Sequence, residues 1–161
     1  MKKVFNPIST YRLQFHRDFT FKDAKRLVPY LAQLGIGSVY ASPIFKAVKG
    51  SMHGYDVVDP LTVNPEIGNL QELRELTSQL QKHQIAWIQD IVPNHMAFHP
   101  ENNWLMELLE NGPYAKHVNV FDTSFASHFF KGPLMVPFLG RPLSEVISYG
   151  ELTLVLRDNK L

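Results

Sequence analysis

The segment that most constrains how this chain can fold is a short apolar run that ends in polar side chains. The run from Ile85 to Gln89 is bulky and apolar, as in a parallel strand that is buried on both faces. Asp90, Asn94 and His95 follow the run. Side chains at the exit of a parallel strand can converge on one ligand. The segment therefore predicts a buried strand whose end carries part of a functional site.

A second polar cluster follows an earlier strand-like run. Residues 36–41 have the pattern of a strand, and His53, Tyr55 and Asp56 lie in the glycine-rich stretch after it. Because the carboxyl ends of parallel strands meet at one edge of a sheet, we expect both clusters at that edge. The stretch 42–68 shows no sustained periodicity, and a loop of that length is uncommon in a compact domain unless it is functional.

Strand and helix patterns alternate along the first two thirds of the chain. Thr20 with Asp23 resembles a capping box, Gly35 is typical of a helix end, and Asn69 with Glu72 predicts the start of a second helix. This alternation predicts an α/β fold with parallel strands and right-handed crossovers, the unit of doubly wound sheets and of (β/α) barrels. The predicted order is a strand at 8–15, a helix at 20–34, a strand at 36–41, a loop at 42–68, a helix at 69–83, a strand at 85–92 and a helix at 104–109.

The last part of the chain has a different character. Beyond Tyr114 helical periodicity fades while proline and glycine recur, so we place a domain boundary between residues 1–113 and 114–161. A strand is predicted at 152–156, with a hairpin turn at 157–159. Because the returning strand barely begins, we expect the chain to be the front part of something larger, although a frayed terminal tail would have the same pattern.

Composition excludes several classes of function. The 161 residues have a formal net charge of +1 with both signs spread along the chain, so no electrostatic footprint for nucleic acid is present. Cysteine is absent, which removes disulfides, thiolate metal sites and cysteine nucleophiles. No run reaches the roughly 18 apolar residues of a membrane span, and the start lacks the apolar core of a secretion signal. We expect a cytoplasmic globular protein that binds neither nucleic acid nor membranes.

Five motifs together carry a family resemblance. They are Thr10 to Gln14, Ala41 to Ile44, Gly50 to Pro60, Asn64 to Gly68 and Asp90 to His95. These motifs resemble the N-terminal part of the maltooligosyl trehalose synthases, a branch of the α-amylase family of (β/α)-barrel enzymes. The pattern Asp-x-x-x-Asn-His occurs across the whole family, whereas Gly-Ser-x-His-Gly-Tyr-Asp-Val-Val-Asp-Pro narrows the resemblance to this branch.

The resemblance implies a partial (β/α) TIM barrel, made of the first three βα units and the beginning of an inserted small subdomain. It implies an enzyme that rearranges the terminal α-1,4 linkage of a maltooligosaccharide to an α,α-1,1 linkage. Family chemistry of this kind uses a carboxylate nucleophile and a carboxylic acid on opposite sides of the glycosidic oxygen. In the family both groups lie beyond the third strand, so we expect no catalytic residue here and an isolated chain that is inactive. No cofactor is expected.

Four matched positions are implied to contact or orient a sugar. Asp90 corresponds to a family Asp that orients an Arg on a later barrel strand, outside these residues, and Asn94 corresponds to a structural Asn. His95 matches a His that hydrogen-bonds the sugar at the cleavage subsite, and Tyr55 matches the aromatic platform beneath that sugar. The expected substrate-binding residues are, in full, Tyr55, His95, Asp90, Asn94, His53 and Asp56. No metal ligand is expected.

Each of these residues has a plain structural alternative. His95 could be a buried histidine that satisfies backbone groups at a strand end, and Asn94 could cap the following turn. Tyr55 could be an ordinary half-buried loop tyrosine instead of a surface that stacks on a pyranose ring. Asp56 could bond a sugar hydroxyl or a neighbouring arginine.

Three barrel strands alone would leave sheet edges and apolar faces uncovered. We therefore expect a homodimer, or association with the missing portion of the barrel. The expected ligand is a maltooligosaccharide or another α-glucan. Two functions stay open at this point: part of a trehalose-forming α-glucan enzyme, or a non-catalytic module for α-glucan binding or assembly.

Overall fold

The computed structural model of the chain describes residues 6–123, 125 and 139–158. The described residues belong to two compact units, one ending at Glu110 and the other beginning at Asn111. The domain boundary after residue 113 stays a prediction. In chain order the strands and helices are β1 (Thr10–Leu13), α1 (Phe21–Gln33), β2 (Ser38–Ala41), β3 (Phe45–Ala47), β4 (Val57–Val63), α2 (Leu70–Lys82), β5 (Ala86–Gln89), α3 (Asn103–Asn111) and α4 (Leu143–Ser148).

The first unit is built on a parallel sheet of three strands. Its strand order is β1-β2-β5, and both pairs are parallel. The register places Arg12 beside Tyr40, and Tyr40 beside Ile88. Helix α1 lies between β1 and β2 in the chain, and α2 precedes β5, as parallel neighbours need a crossover connection. The alternating order predicted for this part of the sequence is confirmed.

Both long helices of this unit begin at side-chain caps. The backbone N of Thr20 donates to Asp23 Oδ2 at 2.9 Å, and the backbone N of Asn69 donates to Glu72 Oε2 at 3.1 Å, while Glu72 N donates back to Asn69 Oδ1 at 3.0 Å. These bonds satisfy N–H groups that have no partner within the helix. Helix α1 is followed by Gly35 with φ of 77°. No helix in the described ranges is long and apolar enough to cross a membrane.

The hydrophobic core lies between one face of the parallel sheet and helices α1 and α2. Every second side chain of a strand points to the same face of the sheet, and helix residues three or four apart lie on the same side of the helix. The core-facing strand side chains therefore meet an apolar stripe on each of the two helices. Removal of this apolar surface from water is the main favourable term that holds the sheet and helices together. The core contains Leu13, Phe15, Phe21, Ala24, Val28, Leu31, Val39, Ala41, Ile44, Ile67, Leu76, Leu80 and Ile85, with Trp87 packed against it.

The stretch 42–68, predicted to be a loop, contains a β-hairpin instead. Strands β3 and β4 pair in antiparallel fashion, with register shifts on both sides of Lys46. The prediction was wrong because β3 is only three residues long and β4 contains Pro60, and both features weaken a strand pattern. The segment between the two strands carries His53, Tyr55 and Asp56, so these residues sit on a hairpin connection that is fixed at both ends.

The second unit differs from its sequence-based prediction in two places. Residues 152–156 form no strand. Their apolar pattern is realised as a strand only when a neighbouring strand pairs with it, and Leu154 is exposed here. A short helix, α4, was not predicted because Gly140 and Pro142 precede it and Gly150 follows it closely. In the predicted turn at 157–159, Asp158 has φ of 48°, and position 159 lies outside the described residues.

Candidate functional site

The sheet face opposite the helices carries polar side chains. Successive side chains point to opposite faces of a strand, so Arg12 and Tyr40 lie on the other face from Leu13 and Val39 of the core. At the amino ends of the same two strands, the hydroxyl oxygens of Thr10 and Ser38 lie 2.7 Å apart. The polar stripe therefore follows β1 and β2 towards their carboxyl ends.

At those ends one cluster joins three separate parts of the chain. Arg12 Nη2 donates to the Tyr55 hydroxyl at 3.0 Å, and Arg12 Nη1 donates to Asp90 Oδ2 at 3.3 Å. The Tyr55 hydroxyl donates to the same Asp90 oxygen at 2.5 Å. The Asp90 side chain is 14% exposed and that of Arg12 is 39% exposed, so solvent reaches the cluster from one side. The cluster links β1, the hairpin connection and the residue after β5.

Hydrogen bonds set the charge states in this cluster. The bond from Tyr55 lowers the pKa of Asp90 below its usual value, with further contributions from Tyr40 and Arg12. The proximity of the Asp90 carboxylate raises the pKa of the Tyr40 phenol. The bond to the Tyr55 hydroxyl raises the pKa of the Arg12 guanidinium. At neutral pH the cluster therefore contains one anion, one cation and protonated Tyr40.

Local hydrogen bonds shape the segment that carries Tyr55. Ser51 Oγ donates to Asp56 Oδ1 at 2.5 Å and accepts from Gly54 N at 3.1 Å. His53 Nδ1 accepts from Tyr55 N at 3.0 Å and lies 3.7 Å from Asp56 Oδ1. The His53 and Tyr55 rings are stacked with centroids 6.1 Å apart. These contacts give Tyr55 a defined backbone position without help from the sheet.

Two further contacts attach this segment to the parallel sheet and its loops. Gln14 Nε2 donates to the carbonyl oxygens of Met52 and His53 at 3.3 and 3.1 Å. Gly54 has φ of 77°, and a Cβ at that position would lie 2.8 Å from the carbonyl oxygen of Pro43. Only glycine fits both the backbone angle and the close approach.

The structure brings together some of the predicted site residues. Tyr55 and Asp90 are hydrogen-bonded, and His53 and Asp56 lie beside Tyr55 on the same segment. The carboxylate of Asp56 contacts Ser51 and His53, which are its own neighbours along the chain. Of the predicted residues, Tyr55 and Asp90 are therefore joined across a long stretch of sequence, whereas His53 and Asp56 make local contacts.

Asn94 and His95 form a separate pair. His95 Nδ1 and Asn94 Oδ1 lie 3.2 Å apart, and both residues are exposed. The exposure of His95 excludes the alternative of a buried histidine at the strand end. Within the described part of the chain, no hydrogen bond or ion pair joins His95 to Tyr55 or Asp90. A contact of His95 with a sugar stays a prediction.

Three residues of the cluster were not predicted as site residues. Arg12, Gln14 and Tyr40 all contact the Tyr55 and Asp90 pair or its supporting segment. A signal for two of them exists in the sequence, because Thr10, Arg12 and Gln14 occupy every second position of a predicted strand. A polar residue at alternate strand positions next to a functional loop indicates a polar sheet face that points towards the site.

The cluster offers hydrogen-bond donors, an ionised carboxylate and an aromatic ring at a solvent-accessible edge. Such a combination suits a ligand with many hydroxyl groups and an apolar C–H face. Asp90 accepts bonds from Tyr55 and Arg12, which is the environment of an orienting acceptor rather than of a free nucleophile. Among the described residues, no group of three or more acidic, histidine or cysteine side chains is arranged to hold a metal ion.

Parallel strands joined by helices, with a polar cluster at their carboxyl ends, define the architecture of (β/α)-barrel enzymes. Residues 24–128 match the family model described as "Alpha amylase, catalytic domain", which is more than half of the chain. The chain belongs to the α-amylase family.

Within that family the chain is similar to the maltooligosyl trehalose synthases, which confirms the resemblance drawn from the five motifs. A putative maltooligosyl trehalose synthase of Mycobacterium tuberculosis (strain CDC 1551 / Oshkosh) is 40% identical over 144 residues, covering 85% of this chain and 19% of the relative. A 4-alpha-glucanotransferase of Thermotoga neapolitana is 30% identical and covers 63% of this chain and 22% of the relative.

Solved structures give the same result. The maltooligosyltrehalose synthase of Arthrobacter ramosus superposes with a TM-score of 0.75 at 38% identity, covering 88% of this chain and 19% of that protein. A further crystal structure of a maltooligosyl trehalose synthase has a TM-score of 0.78 at 37% identity, covering 96% of this chain and 21% of that protein. The chain thus spans about a fifth of the length of the relatives it matches.

Proposed function

We propose that this chain is the N-terminal barrel portion, with its first three βα units and the beginning of an inserted subdomain, of an enzyme that rearranges maltooligosaccharides. The reaction converts the terminal α-1,4 linkage to an α,α-1,1 linkage. The observation that carries this proposal is the 40% identity with a putative maltooligosyl trehalose synthase over 85% of the chain. We place the nucleophile and the acid/base group outside these residues, and we place the protein in the cytoplasm.

In this proposal Tyr55 is the surface on which a glucose unit stacks. Its hydroxyl already accepts from Arg12 and donates to Asp90, so the side chain is anchored at its hydroxyl end. An anchored side chain loses little conformational freedom when a sugar binds, which favours affinity. Asp90 orients neighbouring groups, while His53 and Asp56 shape the segment around Tyr55.

We assign the sugar contact of the second pair to His95. Its Nδ1 is paired with Asn94, which leaves Nε2 as the ring atom for a sugar hydroxyl. Asn94 then fixes the orientation of the imidazole ring. This assignment rests on the family resemblance and on the exposure of both side chains.

A second candidate function is a non-catalytic module that binds α-glucan or takes part in assembly. The observation that favours it is that Arg12, Tyr55 and Asp90 all lie within the first compact unit and bond one another there. A sugar-binding surface of this kind needs no second carboxylate. The two candidates differ in whether a glycosidic bond is rearranged when the remaining barrel is supplied.

The experiment measures reducing ends. Maltopentaose is incubated with the chain alone, and with the chain mixed with the part of the mycobacterial relative that lies beyond the aligned region. An α,α-1,1 linkage has no reducing end, so the proposed rearrangement consumes reducing ends without releasing glucose, whereas hydrolysis creates them. We expect consumption only in the mixture. Saturable heat of maltopentaose binding with no change in reducing ends would support the binding module alone. If neither signal is observed, both candidates are rejected.

We also propose that the chain associates, either as a homodimer or with a chain that carries the remaining barrel strands. In the described sheet β1 and β5 are the outer strands, so each has one edge whose backbone groups can pair with a further strand. Sedimentation velocity tests this at several concentrations. A dimer, or a complex with the added remainder, is the expected result, and a monomer under both conditions contradicts it.

A further inference from the structure

We propose that Arg12 is a positioning residue for the sugar site, because it fixes the Tyr55 ring relative to Asp90 and couples both to β1. This inference rests on the proposed function, in which Tyr55 is the surface that a glucose unit contacts. It goes beyond that function because neither the motifs nor the expected substrate-binding residues assign a role to Arg12.

The first support is the number of acceptors that Arg12 engages. Its Nη2 donates to the Tyr55 hydroxyl at 3.0 Å and to Gln14 Oε1 at 3.1 Å, and its Nη1 donates to Asp90 Oδ2 at 3.3 Å. A planar guanidinium holds its donors at fixed mutual angles, so acceptors that share it are held in fixed mutual positions. One side chain thereby sets the relative placement of three others.

The second support is that the direction of these bonds is forced. Arginine only donates and an ionised carboxylate only accepts. The Tyr55 hydroxyl must therefore accept from Arg12 and donate to Asp90, so both functions of the hydroxyl are used. The part of Tyr55 that a ligand can contact is its ring, and the direction of the ring axis is set by a hydroxyl that is fixed at two points.

The third support is a second connection to the same segment. Gln14 accepts from Arg12 through Oε1 and donates through Nε2 to the carbonyl oxygens of Met52 and His53. Arg12 thus contacts the hairpin connection directly through the Tyr55 side chain, and indirectly through Gln14, which bonds the backbone of the connection. A change at Arg12 is transmitted to the segment by two routes.

The fourth support is that Arg12 itself is held in place. Its guanidinium carbon lies 4.9 Å from the centroid of the Tyr40 ring, on the neighbouring strand, and the two residues are partners in the β1–β2 register. A cation over an aromatic face is attracted by the ring quadrupole. The position of the guanidinium therefore follows from the strand register.

The test compares Arg12→Met with Arg12→Lys in the full chain, with Arg17→Met as control. Arg17 is exposed and its ion pair is with its neighbour Asp18, outside the cluster. Two quantities are measured: the pKa of the Asp90 carboxyl by NMR titration, and the dissociation constant for maltopentaose by calorimetry. Folding of each variant is checked by its amide NMR spectrum.

For Arg12→Met we expect the Asp90 pKa to rise and the maltopentaose dissociation constant to increase about tenfold, which corresponds to ~1.4 kcal/mol. For Arg12→Lys we expect the Asp90 pKa to stay low, since the charge is kept, while affinity still falls, since the planar donor geometry is lost. If Arg12→Met does not fold, Arg12→Lys decides, because it should leave the Asp90 pKa low while it weakens maltopentaose binding. Arg17→Met should match the wild type in both quantities.

Two outcomes overturn the role of Arg12: an Asp90 pKa that is the same in Arg12→Met and wild type, or a dissociation constant that neither variant changes. The Asp90 titration requires no ligand. If the wild-type chain binds no maltopentaose, the proposed sugar site is contradicted, while the titration still decides whether Arg12 controls the Asp90 carboxylate.

Discussion

The Tyr55 hydroxyl lies 2.5 Å from Asp90 Oδ2, although 35 residues separate the two along the chain. The bond joins the connection of the β3–β4 hairpin to the residue that follows β5. A second bond between the same regions runs from Ala97 N to Val57 O at 2.8 Å. The hairpin and the end of the third parallel strand are therefore joined by a side-chain and a backbone contact.

Replacement of Tyr55 by phenylalanine should lower stability without disturbing the core. The change keeps the ring and removes the hydroxyl that bonds Asp90 and Arg12. We expect a loss of about 1 kcal/mol in the free energy of unfolding, which is less than is typical of bonds to charged groups, because the pair is partly exposed. Urea unfolding measures it. Tyr30→Phe, at an exposed position of α1, is the control and should be neutral; equal losses in both variants would contradict the contact.

Acidification should remove a contribution of Asp90 to stability. Hydrogen bonding, first of all from Tyr55, holds the Asp90 pKa below its usual value in the folded chain. Such a group stabilises the fold above its unfolded pKa of about 3.9, and the contribution is lost as the pH falls through the lower folded value. The stability difference between wild type and Asp90→Asn should therefore be largest near neutral pH and shrink below about pH 4. Urea midpoints across this range test it, and a constant difference would be the contrary result.

Replacement of Gly54 by alanine should displace the segment that carries Tyr55. Residue 54 has φ of 77°, and the added methyl would meet the Pro43 carbonyl oxygen at 2.8 Å. We expect destabilisation of more than about 1 kcal/mol, since the strained backbone and the clash act together. Gly140→Ala, where an added Cβ would meet none of the described residues within 4 Å, serves as control and should leave the unfolding midpoint unchanged. A Gly54→Ala chain as stable as wild type would show that the Pro43 contact is not restrictive.

Truncation of Leu76 should test the core between α2 and the sheet. Its side chain is 1% exposed and belongs to the core cluster. Leu76→Ala should cost about 2–5 kcal/mol, the range for buried leucines that leave a cavity. Leu61→Ala, at a position that is 80% exposed, should stay within about 0.5 kcal/mol of wild type. Thermal unfolding of the two variants makes the comparison, and similar midpoints would refute the assigned packing.

The regular part of the fold was accessible from sequence because local signals agree with the tertiary structure. The capping residues at Thr20 and Asn69 mark the starts of α1 and α2, and the left-handed Gly35 follows the end of α1. The hairpin of β3 and β4 was missed because its pairing depends on contacts between short, irregular strands. Such pairing is a property of two segments taken together and leaves little periodicity in either.

The site was accessible only in part for a related reason. Tyr55 and Asp90 were singled out by motif, and in the structure their side chains are hydrogen-bonded to each other. Arg12 and Tyr40 were not, because their roles arise from strand register: they become neighbours only when β1 and β2 pair. The sequence of one strand does not identify the residues that will lie beside it. Such neighbours can be inferred only when the alternation of polar residues is followed on both strands.

The helices and the Arg12–Tyr55–Asp90 cluster lie on opposite faces of the same three strands. Lengthening or remodelling the outer surface of α1 or α2 therefore leaves the hydroxyl, guanidinium and carboxylate where they are, as long as the strands keep their alignment. Substitutions on the exposed surfaces of α1 and α2 are thus uncoupled from the geometry of this cluster, and a one-residue slip of β1 against β2 is the kind of change that would disrupt it.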